Sequence, residues 1–142
     1  KQLLLNSNQP DSYEITYRRS ISEVQAEALS RRHASDYIDP LQLKEEFVVI
    51  LLSNAKRCHG WSLISSGGST ATIVDPAAVF QVAILGSAQS IILVHNHPSG
   101  QLRASGADIN LTNRIGMLSV QVDDHIILTS EGYMSFQERG MM

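Results

Sequence analysis

Cysteine is nearly absent from this chain, which has Cys58 alone among its 142 residues. A single cysteine cannot form an intrachain disulfide, so we expect a reducing, cytoplasmic compartment. Long apolar runs are also missing, since none approaches the roughly 18 residues of a membrane span. The run at 3–5 is too short for the apolar region of a signal peptide. The chain begins with Lys1, and the sequence leaves open whether a segment precedes it.

An excess of positive charge is missing too, because the formal net charge is −3. Neutralising nucleic-acid phosphates requires clustered Lys and Arg. The basic clusters here are short pairs, which we interpret as solvated surface: Arg18-Arg19, Arg31-Arg32 and Lys56-Arg57. The composition therefore argues against a general nucleic-acid binder, and nothing in the sequence points to a membrane partner.

What the chain does contain is typical of a folded α/β domain. Hydrophobic residues make up 43% and charged residues 18%, and the length suits one core. We predict an N-terminal arm at 1–40, with a strand at 12–18 and a helix at 20–34, followed by a domain at 41–142. Its predicted strands are 46–53, 60–65, 70–74, 90–95, 120–122, 125–129 and 133–136, and its helices 75–85 and 105–118. Interleaved strands and helices favour a mixed β-sheet flanked by helices.

The most informative segment is 95–100, which is His-Asn-His-Pro-Ser-Gly and follows a β-forming run. Side chains two residues apart in a strand point to one face, so His95 and His97 are expected to converge. Asp108 follows in what resembles the first turn of a helix. Two imidazoles and one carboxylate suit a catalytic zinc, because three protein ligands leave a fourth position for water. The sequence therefore predicts a metal-dependent hydrolase with these three ligands.

Ser105 and Asp108 also form the pattern Ser-x-x-Asp of a helix capping box. Capping alone explains both residues, but the two roles are compatible because a capped helix start can hold Asp108 toward the metal. The Ser105 hydroxyl either caps the helix or donates to a developing oxyanion. The sequence leaves both roles of Ser105 open.

Hydrolysis also needs a base that takes a proton from water and returns it to the leaving amine. Glu45 and Glu46 open the apolar strand at 46–53, where an unused charge would be costly. Successive strand side chains alternate faces, so only one of the two can point inward. The following residues are apolar on both faces, and the periodicity does not choose between the two glutamates. The alternative is a solvated strand start.

His125 follows Asp123-Asp124, which we interpret as a turn before a strand. We favour a structural role for His125 over a place in the outer shell of the metal site. Cys58 and His59 are adjacent and would point apart in a strand, so we do not interpret them as a nucleophile pair.

The metal-site spacing resembles the JAMM (MPN-type) metalloprotease motif, His-x-His-Pro-Ser-Gly followed by Ser-x-x-Asp. Further segments are similar to the RadC family in particular: 90–100, 107–109, 124–127 and 132–136. Gly-Gly at 67–68 before Val-Asp-Pro at 74–76 resembles the RadC-like proteins of Bacteroidetes-type genomes. The resemblance spans 41–142 and, more loosely, the N-terminal arm.

The resemblance implies a cytidine-deaminase-like α/β/α core and a zinc site carried by His95, His97 and Asp108. It also implies a catalytic glutamate. RadC-like sequences show Glu-x-Phe at this strand, which selects Glu45, whereas related JAMM enzymes place the glutamate directly before the apolar run, which selects Glu46. We take Glu45 as the predicted base and Glu46 as the alternative.

This chain departs from the family pattern in three places. The arm at 1–40 lacks the Gly-rich hairpin of a helix-hairpin-helix region, so DNA contact rests on the family resemblance alone. Arg103-Ala104 precedes Ser105 where the family usually has proline. Between Thr112 and Asp123 the chain is about one helical turn shorter than its relatives.

Two functional hypotheses follow from these motifs. In the first, a zinc-activated water attacks the amide of a protein or peptide substrate, with Glu45 or Glu46 as base and Ser105 stabilising the oxyanion. The family resemblance links this activity to DNA repair. In the second, the domain is a non-catalytic metal-binding interaction module associated with DNA repair or mobile elements. The oligomeric state is left open.

Two other metal-dependent activities are excluded by the motif itself. Nucleobase deaminases bind zinc through cysteines, and the one cysteine here lies outside the motif. An HNH nuclease spreads its three residues across a ββα unit, whereas the letters His-Asn-His are consecutive in this chain.

Overall fold

Seven strands form one sheet in the described part of the chain, which comprises residues 2–4, 14–17, 31–39, 44–66 and 74–142 of a computed structural model. The strands are β1 (Gln2–Leu4), β2 (Glu14–Tyr17), β3 (Glu46–Leu52), β4 (Cys58–Ser66), β5 (Ser90–Asn96), β6 (Gln121–Thr129) and β7 (Gly132–Ser135). The helices are α1 (Pro76–Leu85), α2 (Gly106–Gly116) and a 3-10 helix (Arg31–Asp36). The predicted α/β class is confirmed.

The order of the strands in the sheet is β1-β2-β4-β3-β5-β6-β7. β5 and β6 run parallel and are joined through α2, while the other neighbouring pairs are antiparallel. The end of β5, the start of α2 and the start of β3 therefore lie together at the same end of the strands. Ligand sites of α/β sheets are commonly built at the carboxyl ends of parallel strands.

Side chains of β3 and β5 pack on both faces of the sheet, as their nearly continuous apolar sequences predict. One face, called here the helix face, packs against α1 and α2 and includes Phe47, Val49, Leu51, Ile91 and Leu93. The opposite face includes Val48, Ile50, Leu52, Ile92 and Val94, packed with Ala34 and Ile38. This alternation assigns His95 to the helix face and Asn96 to the opposite face.

The structure differs from the predicted elements at β6, which is one strand rather than two. Val122 pairs with Ile91 and Asp124 pairs with Ile92, so a bulge at Asp123 absorbs the predicted turn. Asp124 is buried and accepts hydrogen bonds from Ser135 Oγ (2.6 Å) and the backbone N–H of His125 (2.8 Å). The prediction that Asp123 and Asp124 form a turn is therefore wrong.

Most of two other predicted elements, the helix at 20–34 and the strand at 70–74, falls outside the described residues. Within the predicted arm, β1 and β2 continue the sheet on the β4 side. None of the helices in the described ranges has the length and apolar character needed to cross a membrane.

Candidate metal centre

The two histidines of the motif converge at the end of β5. His95 is buried within the strand, and His97 follows it with its backbone N–H donating to the Leu128 carbonyl (2.8 Å). This hydrogen bond extends the pairing with β6 past the end of β5, so the period-two alternation is kept through His97. The Nε2 atoms of His95 and His97 lie 2.9 Å apart.

A tight loop after His97 fixes the orientation of its ring. The Gly100 N–H donates to the His97 carbonyl (3.0 Å), and Gly100 has a φ of 84°, which favours glycine. The chain then returns so that the Gln101 carbonyl accepts from His97 Nδ1 (2.8 Å). Because Nδ1 carries the proton of that bond, Nε2 of His97 presents a lone pair to the site.

Asp108 reaches the histidines from the first turn of α2. Its Oδ1 lies 3.2 Å from His95 Nε2, and its Oδ2 lies 3.2 Å from His97 Nε2. Ser105 caps the helix, since its Oγ accepts from Asp108 N–H (3.0 Å) and its own N–H donates to Asp108 Oδ2 (2.9 Å). The capping box and the approach to the histidines use the same carboxylate.

Removing the cap is expected to weaken the protein measurably. Ser105→Ala leaves the Asp108 N–H without its acceptor, and losses of this kind cost about 1 kcal/mol of stability. Urea unfolding followed by circular dichroism measures this free energy. Ser105→Thr keeps the hydroxyl and should retain most of the stability, and equal unfolding of the alanine and threonine variants would contradict the role of the cap.

A chain of hydrogen bonds behind His95 determines which of its two ring nitrogens carries the proton. The Thr112 hydroxyl donates to the Asp108 carbonyl (2.8 Å), so its oxygen accepts from Nδ1–H of His125 (2.6 Å). Nε2 of His125 is then an acceptor, and His95 Nδ1–H donates to it (2.8 Å). His95 is left with a lone pair on Nε2, the atom that faces Asp108 and His97.

His125 is held neutral for this role. It is fully buried, and burial, reinforced by the nearby His95, lowers its pKa well below the usual value. Phe136 stacks on its ring at a centroid distance of 4.6 Å, and Phe47 contacts it edge-on. The structural role favoured for His125 is therefore incomplete, because the ring also orients His95.

Thr112 is expected to influence metal binding through this chain without touching the metal. In Thr112→Val the His125 Nδ1–H loses its acceptor, and His95 is no longer held in the tautomer with a free Nε2. Loss of such an outer partner typically weakens metal affinity by about 10- to 100-fold. Competition with a chromogenic chelator measures the change, and Thr112→Ser should retain wild-type affinity. Equal affinities of the valine variant and wild type would argue against the relay.

Glu45 lies on the side of β3 that faces the histidines. Phe47 pairs with His95 and stacks on its ring at a centroid distance of 5.7 Å. Alternation therefore assigns Glu45 to the helix face with Phe47, and Glu46 to the opposite face with Val48. Glu45 Oε1 is 4.0 Å from His95 Nε2, and its side chain is 16% exposed.

Asn96 holds the segment that carries Glu45. It is fully buried, its Oδ1 accepts from the Glu46 N–H (2.7 Å), and its Nδ2 donates to the Lys44 carbonyl (2.8 Å). These two bonds fix the backbone on either side of Glu45 relative to β5. The residue between the two histidines is therefore a positioning residue for the predicted base.

The electrostatics of the site favour a positive charge between the histidines and Asp108. Burial acts to lower the pKa of His97, yet hydrogen bonds to Asp108 and the Gln101 carbonyl leave it raised overall. Burial acts to raise the pKa of Asp108, but contacts with His95 and His97 hold it well below its usual range. Asp108 is therefore a carboxylate at neutral pH.

The spacing of the donor atoms fits a small divalent metal ion. Ligand atoms around a tetrahedral zinc stand roughly 3.3 Å apart, given bond lengths of about 2.0–2.1 Å. The separations here are 2.9 Å between the two Nε2 atoms and 3.2 Å from each to an Asp108 oxygen. Single donor atoms of Glu45, His95 and His97 also lie within 4.8 Å of one another. His95, His97 and Asp108 could therefore hold a metal ion, with the Glu45 carboxylate beside them.

The site opens into a cavity of about 780 Å³. Glu45, His97, Ser105 and Asp108 line it, so the predicted base, two of the predicted metal ligands and the predicted oxyanion donor reach one space. The structure thus brings together the side chains predicted from the motif, while Glu46 lies on the opposite face of the sheet. Sequence reasoning missed Thr112 and Asn96, for which no short motif gives a signal.

Residues 21–141 match the RadC-like JAB domain family. Among curated relatives, the chain is 44% identical over 103 residues to a UPF0758 protein of Alkaliphilus metalliredigens, covering 70% of this chain and 44% of that protein. It is 40% identical over 103 residues to a UPF0758 protein of Rubrobacter xylanophilus, covering 70% and 45%. The chain spans less than half the length of these relatives. The predicted RadC-like resemblance is confirmed, and the chain belongs to the RadC-like JAB domain family.

Proposed function

We propose that this domain is a zinc-dependent hydrolase that cleaves a peptide or isopeptide amide. The observation that carries the proposal is the convergence of His95 Nε2, His97 Nε2 and the Asp108 carboxylate, with Glu45 Oε1 4.0 Å from His95 Nε2. Three ligands and one nearby carboxylate that is not needed as a ligand are the parts of a metal-dependent hydrolase. A link to DNA repair and a cytoplasmic location stay predictions.

His95, His97 and Asp108 would hold the zinc ion. When bound, zinc would act as a Lewis acid that lowers the pKa of a water molecule to about 7. Glu45 accepts the proton of the attacking water as it adds to the amide carbonyl carbon. Glu45 then donates that proton to the leaving nitrogen, so the C–N bond breaks with an amine as the product. The glutamate acts first as base and then as acid.

Ser105 stabilises the negative charge that develops on the carbonyl oxygen. Its oxygen accepts the Asp108 N–H, and its hydroxyl proton has no acceptor among the residues that the structure describes. That proton is available to a group in the cavity that Ser105 lines. Capping and oxyanion stabilisation therefore use different parts of one hydroxyl group.

Metal removal tests the proposal directly. Protein stripped with a chelator, reloaded with one equivalent of zinc and incubated with a pool of peptides should cleave members of the pool, as read by mass spectrometry. The stripped protein should cleave at least 100-fold more slowly, because the base alone has no activated water. Zinc binding without any cleavage would support the non-catalytic module instead. A well-folded protein that binds no zinc would contradict the metal site itself.

A further inference from the structure

Two cavities meet at the loop that precedes α2. The first is the cavity of the metal centre, and the second has a volume of about 850 Å³. Arg103, Ala104 and Gly106 line both, so the two cavities are neighbours across this loop. A substrate chain held at the metal centre can therefore extend into the second cavity.

The first cavity contains two guanidinium groups that the proposed reaction does not use, those of Arg103 and Arg114. Neither side chain has a hydrogen bond or ion pair with another described residue. The Asp108 carboxylate, which lines the same cavity, contacts the two histidines instead. With a divalent ion bound, positive charge outweighs negative charge in this space. Guanidinium groups match carboxylates in geometry and bind them through paired hydrogen bonds.

The second cavity has a mixed lining, in which Arg103 and Arg139 stand beside several apolar side chains. Leu102, Ile109, Met134 and Met141 contribute to its wall, and Ile109 and Met141 are exposed. Methionine side chains adapt to irregular apolar groups, and concave apolar surfaces commonly receive a side chain of a ligand. An aliphatic side chain would pack against this apolar wall, and a carboxylate on the neighbouring residue would lie near Arg103, which lines both cavities.

We infer that the site selects peptides in which a carboxylate adjoins an aliphatic residue, with Arg103 and Arg114 binding the carboxylate. The inference rests on the proposed function, since it names the substrate class of that site. A nucleic acid also offers anions, but the net charge of −3 and the aliphatic and methionine side chains of the second cavity favour a peptide. The carboxylate is supplied by an acidic side chain or by a peptide C-terminus.

Binding of short peptides to the zinc-loaded protein tests the inference. The probes are acetyl-Gly-Gly-Leu-Asp-Gly-amide, the same peptide with Asn for Asp, and acetyl-Gly-Gly-Leu with either a free or an amidated C-terminus. We expect one of the two carboxylate probes to bind at least about tenfold more tightly than its neutral partner, as charge-assisted hydrogen bonds require. Which pair shows the difference identifies the source of the carboxylate.

Arg103→Ala and Arg114→Ala should each reduce this preference severalfold while zinc stoichiometry stays at wild type. Arg57→Ala is the matched control, because Arg57 is exposed in the turn after β3, at the sheet edge opposite the metal centre. Equal binding of both members of each pair, or a preference that survives both arginine variants, would overturn the inference. Arginine-dependent binding of a single-stranded oligonucleotide, with no peptide bound, would also overturn it.

Cleavage measured on the same probes separates this inference from the proposed function. Cleavage of some peptide without a preference for carboxylates contradicts the inference alone. A preference that depends on Arg103 and Arg114, without cleavage of any peptide, supports the binding site and contradicts the hydrolase.

Discussion

Replacing His97 with alanine is expected to leave the purified protein without bound zinc. His97 supplies one of two imidazole lone pairs, and its Nε2 lies 2.9 Å from that of His95 and 3.2 Å from Asp108. Loss of an outer partner alone weakens metal sites by about 10- to 100-fold, so loss of a direct ligand should exceed roughly 100-fold. Metal analysis of the purified protein and a chelator competition measure the two quantities.

His59→Ala is the matched control for this experiment. His59 Nε2 donates to the Gly86 carbonyl (2.7 Å) at the C-terminal end of α1, away from the metal centre. This variant should keep its zinc. Zinc should raise the melting temperature of the wild type and of His59→Ala but not that of His97→Ala, because a ligand that binds only the folded state stabilises it. Full zinc occupancy in folded His97→Ala would show that His97 is not a metal ligand.

The parts of the site that sequence predicted are those fixed by local geometry. His95 and His97 converge because strand side chains alternate and the strand pairing continues to the backbone of His97. Asp108 points to them because a capping box sets the start of α2. Both patterns lie within a few residues of chain, so spacing alone is sufficient to recognise them.

The parts that sequence left open depend on pairing between distant segments. Glu45 and Glu46 are distinguished by the register that pairs Phe47 with His95, which the apolar sequence of β3 does not encode. The part that His125 plays in the site does not follow from the sequence, because its contact with His95 spans 30 residues. That contact also depends on the bulged pairing of β5 with β6. Asn96 acts through hydrogen bonds to a backbone amide and a backbone carbonyl, and Thr112 acts through hydrogen bonds to the Asp108 carbonyl and the His125 ring. No residue pattern specifies these contacts.

Glu45→Gln is expected to abolish most hydrolysis while leaving zinc bound. The amide keeps the size of the side chain but cannot accept a proton from the attacking water. General acid–base groups contribute about 10²- to 10⁴-fold to rate, and Glu45 is proposed to serve in both directions, so we expect a loss near 10³-fold or more in kcat. Zinc stoichiometry should be unchanged, because His95, His97 and Asp108 hold the ion in the proposal. Cleavage of the peptide pool and metal analysis are measured on the same preparation.

Glu46→Gln is the control that makes this result specific. The two glutamates are adjacent, and alternation along β3 assigns Glu46 to the opposite face of the sheet. A general loss of charge at this strand start would affect both variants alike, whereas a base at the metal centre is removed only by Glu45→Gln. If Glu45→Gln retains activity and Glu46→Gln loses it, Glu46 is the general base. If both variants cleave like the wild type, neither glutamate is the base and the proposed mechanism is wrong.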